Sequence, residues 1–232
     1  SNGPVWIEHL SDAYGVSTTV GTGTSLGDNR AFGGSQTGTG YSYILLPNVG
    51  TQINSYIANV QSTIPSGTIV SLWAGGNDFL YGSANSNVIV TNMESHIRQL
   101  VLVGATELIV PNLPPLELTP EIQSRSQNQQ SAIRSEVISY NQKLGTLLNN
   151  LTGELNITIH TIDTWNIFND ILQNKEALGF TDTQNPACRG GSTLLPLPIC
   201  DNGDPVSPRA DEFLFFDKAH PTRVMHRFIG HF

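Results

Sequence analysis

From residue 68 onwards the chain alternates short apolar runs with longer stretches of helical periodicity, and that alternation constrains the fold most tightly. Pro65-Ser66-Gly67 leads into residues 68–73, a compact apolar run bounded by turn residues, which reads as a buried strand. Residues 88–103 then place Ile89, Met93, Ile97, Leu100 and Val101 at helical spacing; Gly104 closes that helix, and residues 107–110 make another short strand. Residues 122–151 read as a long helix with Ile133, Val137, Tyr140, Leu144, Leu147 and Leu151 in phase. A third buried strand is expected at 157–162 and a further helix at 165–172. Strands that alternate with helices in this way pair in parallel, carry helices on both faces, and collect a site at their carboxyl ends. The class is therefore α/β, and 232 residues suit one large domain of that class.

The N-terminal part is less regular. Pro4 suits the first residue of a helix, with Trp6, Leu10 and Ala13 following at helical spacing. Residues 15–40 are dense in Gly, Ser and Thr, so mostly loop is expected, with a short strand at 30–32. A helix over 48–61 would bury Ile53, Ile57 and Val60. No internal repeat is present.

Composition narrows the function classes. Charged residues are 13% of the chain, against roughly 25% in ordinary soluble domains. The net charge is −8, from 11 basic and 19 acidic residues. This charge argues against nucleic acid and anionic membrane surfaces as partners, because phosphate recognition needs clustered Lys and Arg. Spanning a bilayer takes roughly 18 to 20 apolar residues in a row, and the richest stretch, 100–113, is interrupted by Thr106, Glu107 and Pro111. Cys188 and Cys200 bracket a short loop rich in Gly and Pro. With no Cys-x-x-Cys and no third thiol, they read as a loop-closing disulfide of an oxidising compartment rather than a metal site. Asn-x-Thr triplets at Asn150 and Asn156 agree with a secreted, glycosylated protein.

Four stretches could carry chemistry. In Asn29-Arg-Ala-Phe-Gly-Gly-Ser-Gln36, a glycine can free an N–H to point at a ligand, although a tight turn explains Gly33-Gly34 as well. In Trp73-Ala-Gly-Gly-Asn-Asp78, Asn77 could offer its side-chain amide to a developing oxyanion. Its alternative is a turn in which Asn77 or Asp78 caps the next helix. In Phe215-Phe-Asp-Lys-Ala-His-Pro-Thr222, Asp217 and His220 lie three apart, so a tight turn would hold both on one side. A carboxylate on one imidazole nitrogen fixes the tautomer and leaves the other nitrogen as a general base. His9, His96, His160, His226 and His231 read as structural or solvent-facing. Gly23-Thr-Ser-Leu-Gly27 matches a Gly-x-Ser-x-Gly nucleophile elbow around Ser25, but Gly27-Asp28-Asn29 and Gly33-Gly34 cannot supply the helix that must follow.

Taken in order, these pieces resemble the GDSL/SGNH hydrolase family almost end to end. Ser1-Asn2-Gly3-Pro4-Val5-Trp6-Ile7-Glu8 is similar to the segment after that family's first block. Residues 29–34 resemble the second block, Gly75-Gly76-Asn77-Asp78 the third, and Asp217-Lys-Ala-His220-Pro-Thr222 the fifth. Val110-Pro-Asn-Leu-Pro-Pro115 resembles members that act on lipid or carbohydrate esters. The resemblance implies a three-layer α/β/α sandwich with a parallel central sheet. It also implies a carboxylic ester hydrolase that works through an acyl-enzyme without metal or organic cofactor. Gly34 would give a backbone N–H and Asn77 a side-chain N–H to the oxyanion hole. His220 would be the general base and Asp217 its orienting partner. The substrate would be a small-molecule, polysaccharide or lipid ester; the sequence leaves that choice, and oligomeric state, open.

One departure stands out. The family's Gly-Asp-Ser nucleophile is not in these residues; Gly27-Asp28-Asn29 and Gly203-Asp204-Pro205 are the nearest pairs. The opening Ser-Asn-Gly-Pro, without initiator Met or signal peptide, reads as an interior piece of a longer chain. The expectation is a single SGNH-like domain, 1–232, that lacks its first strand and nucleophile. As it stands it should be inactive, with unpaired backbone and exposed apolar surface at its sheet. The alternative is a non-catalytic descendant that binds carbohydrate or a surface.

Overall fold

The computed structural model describes residues 1–16, 18–19, 28–43, 45–59, 63–82, 85–190, 199–201 and 203–231. In chain order the helices are α1 (Trp6–Ala13), α2 (Val49–Asn59), α3 (Gly76–Leu80), α4 (Ser86–Leu102), α5 (Pro120–Gln123), α6 (Gln127–Leu155), α7 (Thr164–Gln173) and α8 (Arg223–His231). The strands are β1 (Tyr41–Ser42), β2 (Leu46–Pro47), β3 (Ile69–Ser71), β4 (Glu107–Ile109), β5 (Thr158–His160), β6 (Asp182–Pro186) and β7 (Phe213–Phe215). They gather into two compact units, one of residues 1–18, 114–134 and 164–232, the other of residues 19–113 and 135–163.

The second unit holds a parallel sheet of order β3-β4-β5. Its ladder runs on beyond the strands, with the N–H groups of Leu72, Val110 and Asn112 donating to Ile109, His160 and Ile162. Only β4 has a strand on both sides, so Leu108 is fully buried while Ile69 on β3 is 47% exposed. The runs at 68–73 and 157–162 are thus edge strands among the described residues, where full burial was expected. Ile89, Met93, Ile97 and Leu100 of α4 and Val137, Tyr140, Leu144, Leu148 and Leu151 of α6 form the core. Asn85 accepts from the N–H groups of Asn87 and Val88 and starts α4 two residues earlier than periodicity suggests. The long helix begins at Gln127 rather than 122, because Thr119 and Pro120 start the separate short helix α5. Within α2, Ile53 is buried and Ile57 only half-buried, while Val60 lies outside the described residues. No strand forms at 30–32: the Asn29 side chain accepts from Ala31 N–H and makes a local turn instead.

In the first unit α1 packs on α8, and α8 on α7 and β7. Pro4 precedes α1, whose N-cap is Val5; the Val5 N–H donates to Glu8 at 2.6 Å. The α1–α8 approach is close enough that Gly230 faces the Trp6 carbonyl directly. Parallel β6 and β7 form a second small sheet. The Cys188–Cys200 disulfide is formed. No helix among the described residues is long and apolar enough to cross a membrane.

Candidate functional site

In the first unit, β7 ends at Phe215 and the chain turns back at once, Phe216 N–H donating to the His220 carbonyl at 2.8 Å. That turn brings Asp217 under the imidazole of His220. His220 Nδ1 lies 2.9 Å from Asp217 Oδ2 and 3.0 Å from Oδ1, and Oδ1 also accepts the N–H groups of His220 (2.7 Å) and Ala219 (2.9 Å). The carboxylate is 4% exposed and the imidazole 44%. Burial alone would push the Asp217 carboxyl up; the His220 hydrogen bond and charge and the two backbone N–H groups outweigh it, leaving it below the usual range. A carboxylate can only accept, so His220 donates from Nδ1 and Nε2 keeps a lone pair. Nε2 carries no hydrogen bond among the described residues. An oriented imidazole with one free basic nitrogen is what proton abstraction requires.

In the second unit, Asn77 lies in the first turn of α3, beyond the carboxyl end of β3. One N–H of its amide donates to the Ser35 carbonyl at 2.9 Å. The other amide proton has no partner among the described residues, so it remains free to meet an oxyanion. Gly34, the neighbour of Ser35, is buried and has φ +82°, a backbone region that suits glycine and turns the adjoining peptide groups. The structure therefore joins Asn77 to the residue next to Gly34, and it joins Asp217 to His220. Each pair is held within its own unit. Neither Asn77 nor Asp78 caps α3, whose N-cap is Gly75. Ser25 lies outside the described residues.

Among the described residues the one cluster of metal-type ligands is Cys188, Cys200 and Asp204, and there the two sulfurs are joined to each other. Asn150 and Asn156 are both exposed.

A family model described as GDSL-like lipase/acylhydrolase matches residues 1–232. The chain belongs to that family. A thermolabile hemolysin of Vibrio parahaemolyticus is 27% identical over 240 residues, taking in 99% of this chain and 54% of that protein. A GDSL esterase/lipase of Arabidopsis thaliana is 26% identical, covering 77% of this chain and 56% of its own length. A phosphatidylcholine-sterol acyltransferase of Aeromonas hydrophila is 26% identical, covering 97% and 76%. The chain spans about half the length of the first two.

Within this GDSL-family chain, polar side chains distant in sequence stand next to Asn77. Asp78 and His96, both buried, and half-buried Asn92 gather around buried Thr37, which lies on the same segment as Gly34. His96 was read as structural or solvent-facing, and it is 4% exposed. Its position was the available signal: on α4 it falls seven residues after Ile89 and next to Ile97, on the apolar stripe. His226, likewise buried, accepts the Trp6 N–H through Nδ1 at 3.3 Å.

Proposed function

We propose that this chain is the catalytic domain, 1–232, of a carboxylic ester hydrolase that works by a Ser-His-Asp acyl-enzyme mechanism. Its serine lies in a Gly-Asp-Ser segment that these residues do not include. The observation that carries the reading is the Asp217–His220 pair, with its buried carboxylate, fixed tautomer and an Nε2 that meets no partner among the described residues. His220 Nε2 takes the serine proton as the hydroxyl oxygen attacks the ester carbonyl, and Asp217 stabilises the imidazolium that results. The carbonyl oxygen becomes an anion and accepts from the Gly34 N–H and the free Asn77 amide proton. His220 then returns its proton to the leaving alkoxide. Water repeats the sequence on the acyl-enzyme and releases the acid. No metal or organic cofactor takes part.

The open edge of β3, with Ile69 half exposed, supports a further strand beside it, where the serine-bearing segment would pair. Among ester classes, a lipid ester is favoured over acetylated polysaccharide, because one relative that covers most of the chain is named a phosphatidylcholine-sterol acyltransferase. The disulfide and the exposed sequons at Asn150 and Asn156 support an extracellular, glycosylated protein.

The test is an ester panel on the protein as its gene encodes it. Turnover of p-nitrophenyl and glycerophospholipid esters, lost on His220→Ala, is expected. Turnover that survives His220→Ala would overturn the mechanism, and binding of polysaccharide without any turnover would favour the non-catalytic alternative.

A further inference from the structure

Among the groups that hold the segment carrying Gly34, one is a buried carboxylate that takes both donors of Thr37. Asp78, 2% exposed, accepts the Thr37 N–H at 2.9 Å on Oδ2 and 3.2 Å on Oδ1, and the Thr37 hydroxyl at 2.7 Å on Oδ1. Asn92 on α4 donates to the same hydroxyl oxygen at 3.0 Å. The Thr37 carbonyl lies 2.6 Å from His96 Nε2. A carbonyl can only accept, so that nitrogen carries the proton. Every polar atom of Thr37 is therefore held, and its side chain has no exposure at all.

Position along the chain gives this grip its meaning. Asp78 directly follows Asn77, whose amide holds the Ser35 carbonyl. Two consecutive residues of α3 thus hold two alternate residues of the segment that starts at Gly34. Charge makes the arrangement costly. Burial pushes the Asp78 carboxyl up, the hydrogen bonds from Thr37 offset this only in part, and no cation contributes. His96 is likewise depressed by burial, and its Nδ1 is buried without a partner. An Asn at position 78 would fit the same volume, but its NH2 would face donors of Thr37 where an oxygen now accepts.

We propose that Asp78 is a positioning residue of the oxyanion site. Through Thr37 it fixes the 34–37 segment, so that the Gly34 N–H and the Asn77 amide keep one mutual direction. This rests on the assignment of Gly34 and Asn77 to the oxyanion.

The experiment compares Asp78→Asn with the parent, in the protein as its gene encodes it, on p-nitrophenyl acetate. Displacing donors that must meet one atom lowers kcat by about 10- to 100-fold and leaves KM within about twofold. In an Asn77→Ala background the same change should cost less than about threefold, because the two residues act on one site. Val137→Ala, in the core of α6, serves as the control: at an equal loss of Tm it should keep its kcat. Additive effects of Asp78→Asn and Asn77→Ala, or a kcat loss no larger than that of Val137→Ala, would overturn the proposal. If the parent shows no His220-dependent turnover, the hydrolase reading itself fails, and amide NMR still decides the anchoring. Asp78→Asn should then shift the Thr37, Gly34 and Asn77 side-chain amide signals together. A change confined to Thr37 would overturn it.

Discussion

His226 makes the first unit sensitive to mild acid, and the size of the effect follows from its surroundings. Its ring is buried on α8 and accepts the Trp6 N–H through Nδ1, so the neutral form is the one the fold holds. Burial is the main cause that lowers its pKa from 6.5 to about 3. Above pH 6.5 both states carry neutral imidazole and nothing is lost. Below it the unfolded chain takes up a proton that the folded chain refuses, so stability falls with pH until about pH 3. At 1.36 kcal/mol per pH unit the loss is about 2 kcal/mol at pH 5 and about 3 kcal/mol at pH 4. Urea unfolding at pH 7.5, 6, 5 and 4 measures it. His226→Asn, whose side-chain oxygen can still accept the Trp6 N–H, removes the titration, so its curve should lie lower at pH 7.5 and fall less steeply. The difference between the two slopes isolates this residue from the carboxylates, Asp217 among them. Equal slopes for the parent and His226→Asn would refute the reasoning.

Three other substitutions or treatments have definite outcomes. Gly230→Ala would place a methyl 2.5 Å from the Trp6 carbonyl oxygen and 2.8 Å from His9 Cβ, so it should destabilise the α1–α8 packing by about 2 to 3 kcal/mol in urea unfolding. Reducing the Cys188–Cys200 bond, whose ends are 12 residues apart, should lower stability by about 2 to 3 kcal/mol; unchanged unfolding in dithiothreitol would contradict this. Asn77→Ala should cut kcat on p-nitrophenyl acetate by about 10² to 10³-fold with little change in KM, and a loss seen in KM alone would assign Asn77 to substrate binding instead.

What was legible in the sequence is what is local or periodic. Asp217 and His220 stand three apart, so one turn is enough to set His220 Nδ1 2.9 Å from the carboxylate. The α4 and long α6 stripes were read nearly whole, because a buried helical face repeats in the chain itself. The runs at 68–73 and 157–162 are strands as the sequence implies but not fully buried ones: apolar composition does not tell a central strand from an edge one, and among the described residues only β4 has neighbours on both sides. The pair β6 and β7 left almost no trace. Asp182–Asn185 is polar and Pro186 ends the strand, whose start is organised by the Asp182 carboxylate, which accepts the Gln184 and Asn185 N–H groups. The cluster on Thr37 could not be read ahead, since its members stand 41 and 59 positions away along the chain. An Asp beside the motif Asn, which a cap explains equally well, and a His on the apolar stripe of α4 are the two local hints.

In the proposed mechanism His220, set by Asp217, activates a serine in a Gly-Asp-Ser segment. The direct measurement is labelling of the gene-encoded protein with a fluorophosphonate, followed by mass mapping of the modified serine. A single adduct on a Gly-Asp-Ser serine, lost when His220 is changed to alanine, is the expected result. An adduct on Ser25, or labelling that persists without the imidazole, would contradict the account.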